Sequence, residues 1–299
     1  MIEELRRQQM EEVQRKIVEA RRKRRKWLTM LISCLLLLFI VGGIAYEIHL
    51  NQDFETTYYQ LESEKLNTTI KIAVLSDLHD KEYGTDNSEL IEAIRKEQPD
   101  LIAMIGDMVN DDDQEFTIVQ NLCRDLGEIA PVYYTLGNHE GTLMYSRMDS
   151  VALDKLLEEE GVTVLINQSV EFKKGDSVVQ IAGISNEAAA YDQWAREKME
   201  DFWKLEDYKL VLSHFPDLYY SKLADAEFDL ALAGHYHGGL IRLPKIGGLY
   251  HPEGGFRPKY SGGEYTLTNG TLIVSRGIGG HGMIPRINNR PELVIIEIN

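Results

Sequence analysis

From Trp27 to Tyr46 the chain reads WLTMLISCLLLLFIVGGIAY, twenty residues without a charge. At helical rise such a run spans about 30 Å, the thickness of a bilayer's hydrocarbon core. Downstream the apolar runs shorten. Ile70–Leu75, Leu101–Ile105 and Val132–Leu136 are rich in apolar and β-branched residues, and each leads into a helical pattern. Those helices are predicted over Asn87–Glu97, with Leu90, Ile91 and Ile94 on one face, over Glu115–Leu126 and over Ser150–Glu159. Continuous apolar strands alternating with helices predict a parallel sheet covered on both faces. The second half changes character. Thr163–Ile166, Ser169–Phe172 and Val178–Ile184, with Lys174-Gly175-Asp176 as a turn, predict antiparallel hairpins. A helix is expected over Glu187–Trp203, then strands at Lys209–Ser213, Leu230–Ala233, Thr271–Ser275 and Glu292–Ile298. Residues 234–282 hold 14 of the 24 glycines and little helix signal.

These patterns predict a division of the chain into a basic, amphipathic segment (1–26), a transmembrane helix (27–46), a polar stalk (47–67) and a folded domain (68–299). Charge gives the segments a side. The overall charge is −16, but residues 1–26 carry ten Lys/Arg against five Glu, which leaves −21 for residues 27–299. Arg21 to Lys26 form an unbroken cationic block, and no further Lys or Arg occurs until Lys65. The positive-inside rule therefore predicts a single-pass cell-membrane protein with a cytoplasmic N-terminus and an extracytoplasmic domain. Two readings of the apolar segment stay open: a retained anchor, or a leader cleaved after the small-x-small Gly43-Ile44-Ala45. Residues 3–26 suit an amphipathic helix on the inner leaflet or a solvated tail. A domain this acidic repels polyanions, so no nucleic-acid partner is expected. Cys34 and Cys123 lie in the apolar segment and a predicted helix, a placement that gives no disulfide.

Eight histidines occur, and five fall in short motifs directly after predicted strands. The motifs are Asp77-Leu78-His79, Gly106-Asp107, Gly137-Asn138-His139-Glu140, Ser213-His214 and Gly234-His235-Tyr236-His237. Carboxyl ends of strands in an open α/β sheet share one rim, so residues distant in sequence can meet there. Strand alternation would put Asp77 and His79 on one face, and His235 and His237 likewise. Glycines before Asp107, Asn138 and His235 would permit tight turns and a close backbone approach to an ion. Mixed carboxylate and imidazole donors suit Mn, Fe or Zn better than Mg or Ca. With Asp107 placed to bridge, two divalent ions about 3.5–4 Å apart could activate a water and clamp phosphoryl oxygens.

Taken in order, the motifs D-x-H, GD, GNH[DE], lone H and GHxH resemble the calcineurin-like metallophosphoesterase superfamily over nearly all of residues 68–298. The resemblance implies a four-layer α/β/β/α sandwich of two mixed sheets, here preceded by one N-terminal transmembrane helix. It implies a first metal held by Asp77, His79, Asp107 and His237. A second would be held by Asp107, Asn138, His214 and His235. His139 would be a general acid, oriented by Glu140, against a metal-activated hydroxide.

Further text resembles a branch of membrane-anchored phosphodiesterases acting on lipid-like substrates: Gly238-Gly239 with Ile241-Arg242-Leu243-Pro244, Ser275-Arg276-Gly277-Ile278-Gly279, and Pro285-Arg286-Ile287-Asn288-Asn289. Tyr236 departs from the Thr common there. The implied reaction is hydrolysis of a lipid-linked or envelope phosphodiester. The alternatives are a phosphomonoesterase or nuclease of the same superfamily, or a non-catalytic metal-binding receptor. Apolar residues of the 238–282 loop either admit a lipid or pack the loop down. Arg276 and Arg286 either neutralise substrate phosphate or form structural ion pairs. His251 and His281 read as surface or loop histidines.

Overall fold

The computed structural model describes residues 1–146, 153–185, 193–252, 254–280 and 286–299. The starts of two predicted helices (150–152 and 187–192), His281 and Pro285 lie outside the described residues. Two compact units result, Met1–His49 and Leu50–Asn299. The first is one α-helix, α1 (Ile2–Leu50), with no buried residue, and it is long and apolar enough to cross a membrane. The basic segment and the apolar run are thus continuous in one helix.

In the second unit β1 (Glu55–Leu61), β2 (Ile70–Leu75), β3 (Leu101–Ile105), β4 (Val132–Thr135) and β5 (Thr163–Val164) belong to one sheet. Helices α2 (Ser88–Glu97) and α3 (Thr117–Gly127) connect its parallel strands, and α4 (Asn138–Ser146) and α5 (Leu153–Glu159) follow β4. A second sheet holds β6 (Gln168–Lys174), β7 (Ser177–Ile184), β8 (Tyr208–Ser213) and β9 (Leu230–Ala233). Short helices α6 (Gln193–Lys198), α7 (Glu200–Trp203) and α8 (Leu218–Ser221) lie between these strands in sequence. Two small hairpins follow, β10 (Arg242–Leu243) with β11 (Gly247–Gly248) and β12 (Tyr250–His251) with β13 (Gly255–Phe256). Strands β14 (Gly263–Leu267) and β15 (Gly270–Val274) complete the second sheet, and β16 (Glu292–Ile298) returns to the first.

Both sheets are mixed. The orders are β1-β16-β2-β3-β4-β5 and β14-β15-β9-β8-β7-β6. In the first, β2 to β5 are parallel and β16 is antiparallel to β2. In the second, β7, β8, β9 and β15 are parallel, with antiparallel edges at β6 and β14. Alternation along each strand feeds two cores at once. Ile70, Ile72 and Val74 join Ile181, Leu210 and Leu232 between the sheets, while Ala73 and Leu75 face Leu90, Ile94 and Leu122 of the helices. A third core sets Val211, Ala231 and Val274 against Met199, Phe202 and Leu218. Three cores separate four layers, the expected α/β/β/α sandwich.

Two expectations change. Residues 55–61, read as stalk, form an edge strand paired in parallel with β16 from Glu55↔Glu292 to Leu61↔Ile298. Their polar–apolar alternation (Thr57, Tyr59 and Leu61 half-buried) suits a strand covered on one side, which looks polar in a sequence scan. Thr163–Val164 is the parallel edge of the first sheet and not part of a hairpin; the hairpin is β6–β7 alone, in the other sheet.

Candidate metal centre

Every motif lies just past a strand end on one rim of the sandwich. Strand geometry itself has ceased there: β2 ends at Leu75 and β9 at Ala233. Asp77 (φ 56°), His79 (49°), Asp107 (53°), His235 (74°) and His237 (45°) all occupy the left-handed region. Five of the seven predicted ligands thus carry a conformation that costs a side-chain-bearing residue of order 1–3 kcal/mol. Strand alternation therefore does not place Asp77 with His79 or His235 with His237; tight left-handed turns aim these side chains.

Cross-links between motifs hold the turns. Asp77 N–H donates to Gly106 O (3.1 Å) and His79 N–H to Asp107 O (3.2 Å). The Asp107 carboxylate accepts from His139 N–H (3.0 Å), and the Asp77 carboxylate from His235 N–H (3.1 Å) and Ser76 Oγ–H (2.5 Å). The glycines serve this contact between strand ends. A Cβ on Gly137 would lie 2.6 Å from Asp107 N and overlap its carboxylate, and one on Gly234 would overlap Ser76 Oγ. Of these three glycines Gly106 alone has a positive φ, +73°.

Two donor clusters form, Asp77–His79–His237 and Asp107–His214–His235, each with ligand atoms within 4.8 Å of one another. His79 and Asp107 also meet His139 in the same way. His235 and His237, two positions apart in sequence, go to different clusters. Each cluster gathers three of the four residues that the resemblance assigned to one ion. Asn138 opens α4, and its buried Oδ1 has no hydrogen-bond partner among the described residues. His214 Nε2 lies 2.9 Å from Asp107 Oδ2 and 3.2 Å from His235 Nδ1, while its Nδ1–H donates to Ile105 O (2.8 Å). That second bond fixes the ring with Nε2 facing the cluster. An orphaned amide oxygen and converging imidazole and carboxylate atoms are a donor set that divalent cations fit.

The electrostatics differ from group to group. Burial raises the Asp77 pKa, partly offset by His214. Burial would also raise Asp107, but His214, His79 and His139 outweigh it and hold Asp107 below the usual carboxylate range. Burial alone would lower His214; the Asp107 carboxylate overcomes it and lifts the ring to about 10. His237 lies well below the ordinary histidine value, through burial and then the Arg286 guanidinium, 3.2 Å from its Nδ1. A neutral imidazole is the ligating form.

Other assignments move. Glu140 accepts from Asp107 N (2.9 Å), Met108 N (2.8 Å), Gly137 N (2.8 Å) and Tyr134 Oη (2.6 Å), so it clamps the turn that carries Asp107. The His139 ring is addressed instead by Asp111, whose N–H donates to Nδ1 at 3.1 Å. Arg276 is an ion-pair residue, bonded to Glu292 and to Glu55 (2.7 Å). Arg286 is buried behind His237 and donates to the carbonyls of Arg276 and Gly279. His251 is no surface histidine: it is 6% exposed and stacks on His237 at 5.9 Å. Sequence reading missed Ser76, Asp111 and Tyr134 as supports. Ser76 and Asp111 stand beside a motif, but nothing local marks Tyr134, which reads as one more apolar strand residue.

The calcineurin-like phosphoesterase family model matches residues 70–239, more than half of the chain. The chain belongs to that family. It is a phosphoric ester hydrolase of a binuclear, divalent-metal-dependent group, and it carries His/Asp clusters to match. Among relatives, the Escherichia coli phosphodiesterase YaeI is 30% identical over 253 residues, covering 82% of this chain and 88% of that one. The metallophosphoesterase YkoQ of Bacillus subtilis is 28% identical over 233 residues, covering 77% and 83%. A dimetal phosphatase from Danio rerio is similar in structure at 12% identity, with a TM-score of 0.44 over 70% of this chain and 87% of that one.

Proposed function

We propose that the protein is a membrane-held phosphodiesterase whose substrate is a lipid-linked or envelope phosphodiester. Asp77, His79, Asp107 and His237 hold one divalent ion and Asp107, Asn138, His214 and His235 the other, with Mn, Fe or Zn as the metals. Bound there, the ions supply charge stabilisation of the phosphoryl oxygens and a nucleophile at neutral pH. Asp107 is the shared ligand, which its depressed pKa suits. His139 is the general acid. Its Nδ1 lies 3.1 Å from Asp111 N and 3.6 Å from the Asp111 carboxylate, contacts that orient the ring; as the imidazolium it would pass a proton to the leaving oxygen. The carrying observation is the pair of donor clusters on one rim with His139 joined to both His79 and Asp107. The diester preference draws support from YaeI, a phosphodiesterase by name. The basic block before α1's apolar run supports a cytoplasmic N-terminus and an extracytoplasmic domain in the cell membrane. The acidic domain argues against nucleic acid as a partner.

The test uses the full chain in detergent with bis(p-nitrophenyl) phosphate and with the monoester, adding Mn, Fe or Zn in turn. Metal-dependent diester turnover that disappears in Asp107→Asn is expected. Turnover of the monoester alone, or none despite two bound ions, would overturn the reading.

A further inference from the structure

The two hairpins β10–β11 and β12–β13 belong to neither sheet, and they lie beyond the span matched by the family. Yet they carry Leu243, Ile246, Tyr250 and Phe256, four of the six exposed large hydrophobic residues described after Leu50. Phe256 is 75% exposed and Ile246 52%. Tyr250 and Phe256 are direct cross-strand partners, so their side chains leave the hairpin on one face. The next residue along, His251, points the other way, is buried, and stacks its ring on His237. One hairpin therefore shows an apolar pair to its surroundings and touches a candidate ligand with its back. Charge distinguishes this patch as well. Residues 240–260 contain four Lys/Arg and one Glu, within a stretch (27–299) whose net charge is −21. Lys245, Arg257 and Lys259 are exposed beside the apolar tips.

We infer that the two hairpins dock on an anionic lipid surface. Leu243, Ile246, Tyr250 and Phe256 enter the boundary between headgroups and acyl chains, and Lys245, Arg257 and Lys259 meet lipid phosphates. Apolar tips ringed by cations are what an anionic interface binds, through burial and surface potential together. With α1 retained as an anchor, a bilayer is also within constant reach: eight residues lie between Tyr46, the end of the apolar run, and Glu55 of β1, at most about 30 Å of chain. Docking would set the rim that bears the metal ligands against the headgroup layer. The consequence for substrate rests on the diesterase reading above; the docking itself does not.

The full chain is placed in nanodiscs of phosphatidylcholine with or without phosphatidylglycerol, containing acyl-chain spin-labelled lipid. An environment-sensitive fluorophore is attached at Phe256→Cys in a Cys34→Ser background, Cys123 being buried. The control site is Asp176→Cys, exposed in the β6–β7 turn on the opposite rim. The expected result is blue-shifted, quenched emission at 256 in anionic discs and neither effect at 176. Lys245→Glu with Arg257→Glu should remove the quenching. Equal quenching at both sites, none at 256, or a shielded 256 label in lipid-free detergent (a second copy covering the patch) would overturn the proposal. In parallel, Ile246→Ser beside the 256 label should lose insertion, and Ile246→Ser with Phe256→Ser should keep turnover of the soluble diester. Quenching requires no turnover, so an inactive protein that inserts refutes the diesterase reading and leaves docking standing.

Discussion

His214 is wholly buried, with one ring nitrogen on the Ile105 carbonyl and the other against Asp107. Its pKa is raised to about 10 from 6.5, Asp107 outweighing burial. A raised histidine pKa contributes stability that is fully present below 6.5 and is lost as pH climbs through about 10. In the metal-free protein that ion pair should therefore weaken in alkali. A metal at this cluster must displace the same proton, so its affinity should rise with pH up to about 10. Calorimetry in buffers of different ionisation enthalpy should report close to one proton released from His214 at neutral pH; none released would sink the assignment. His139 makes a separate prediction. His139→Ala should slow hydrolysis by roughly 10²–10⁴-fold when the leaving group is a poor alcohol, and far less with p-nitrophenolate, which needs no proton. An equal loss on both would remove the general-acid role. Sequence alone placed both residues in the site, since each sits in a motif at a strand end. It misread Glu140, whose partners Tyr134, Asp107 and Met108 are set by tertiary contact.

At the scale of elements, the loops after β2, β3 and β9 bear the strain. Left-handed turns at Asp77, Asp107 and His235 persist because backbone bonds from neighbouring strand ends over-determine them. Gly234 is where those ends come closest, against Ser76 and Asp77. Gly234→Ala should push Asp77 out of place, lowering stability by about 1–3 kcal/mol and releasing metal. Urea denaturation and metal analysis of the purified variant would check both, and a fully loaded, equally stable variant would show that the rim tolerates separation. The helices and central strands were legible because each has an apolar run of its own. β1 was not, because an edge strand covered on one side is half polar. β16 was legible as a strand, but its return to the first sheet between β1 and β2 was not.

For the molecule as a whole, the charge asymmetry of the sequence meets a single long helix, α1, followed by a compact sandwich. If the helix is a retained anchor with its basic end in the cytoplasm, protease added to intact cells should degrade residues 50–299 and spare an N-terminal tag. Protection of the domain instead would reverse the orientation. Release of the whole protein by carbonate washing would remove the anchor. Net charge does not govern every surface: the hairpins from 242 to 257 are basic and apolar on an otherwise acidic unit, a contrast that averaged composition hides.

By itself the sequence determined the family, the central strands and helices, a long apolar run and the residues offered as candidate ligands. Those properties are local: an apolar run, a glycine before an acid, a histidine after a strand. Only the tertiary structure decided which ligands share a cluster, because neighbours such as His235 and His237 part while Asp107 and His214 meet. It alone put Glu140 under the Asp107 turn, Arg286 behind His237 and His251 against the site. Each depends on how strand ends from two sheets pack at one rim, a long-range geometry that short motifs do not encode.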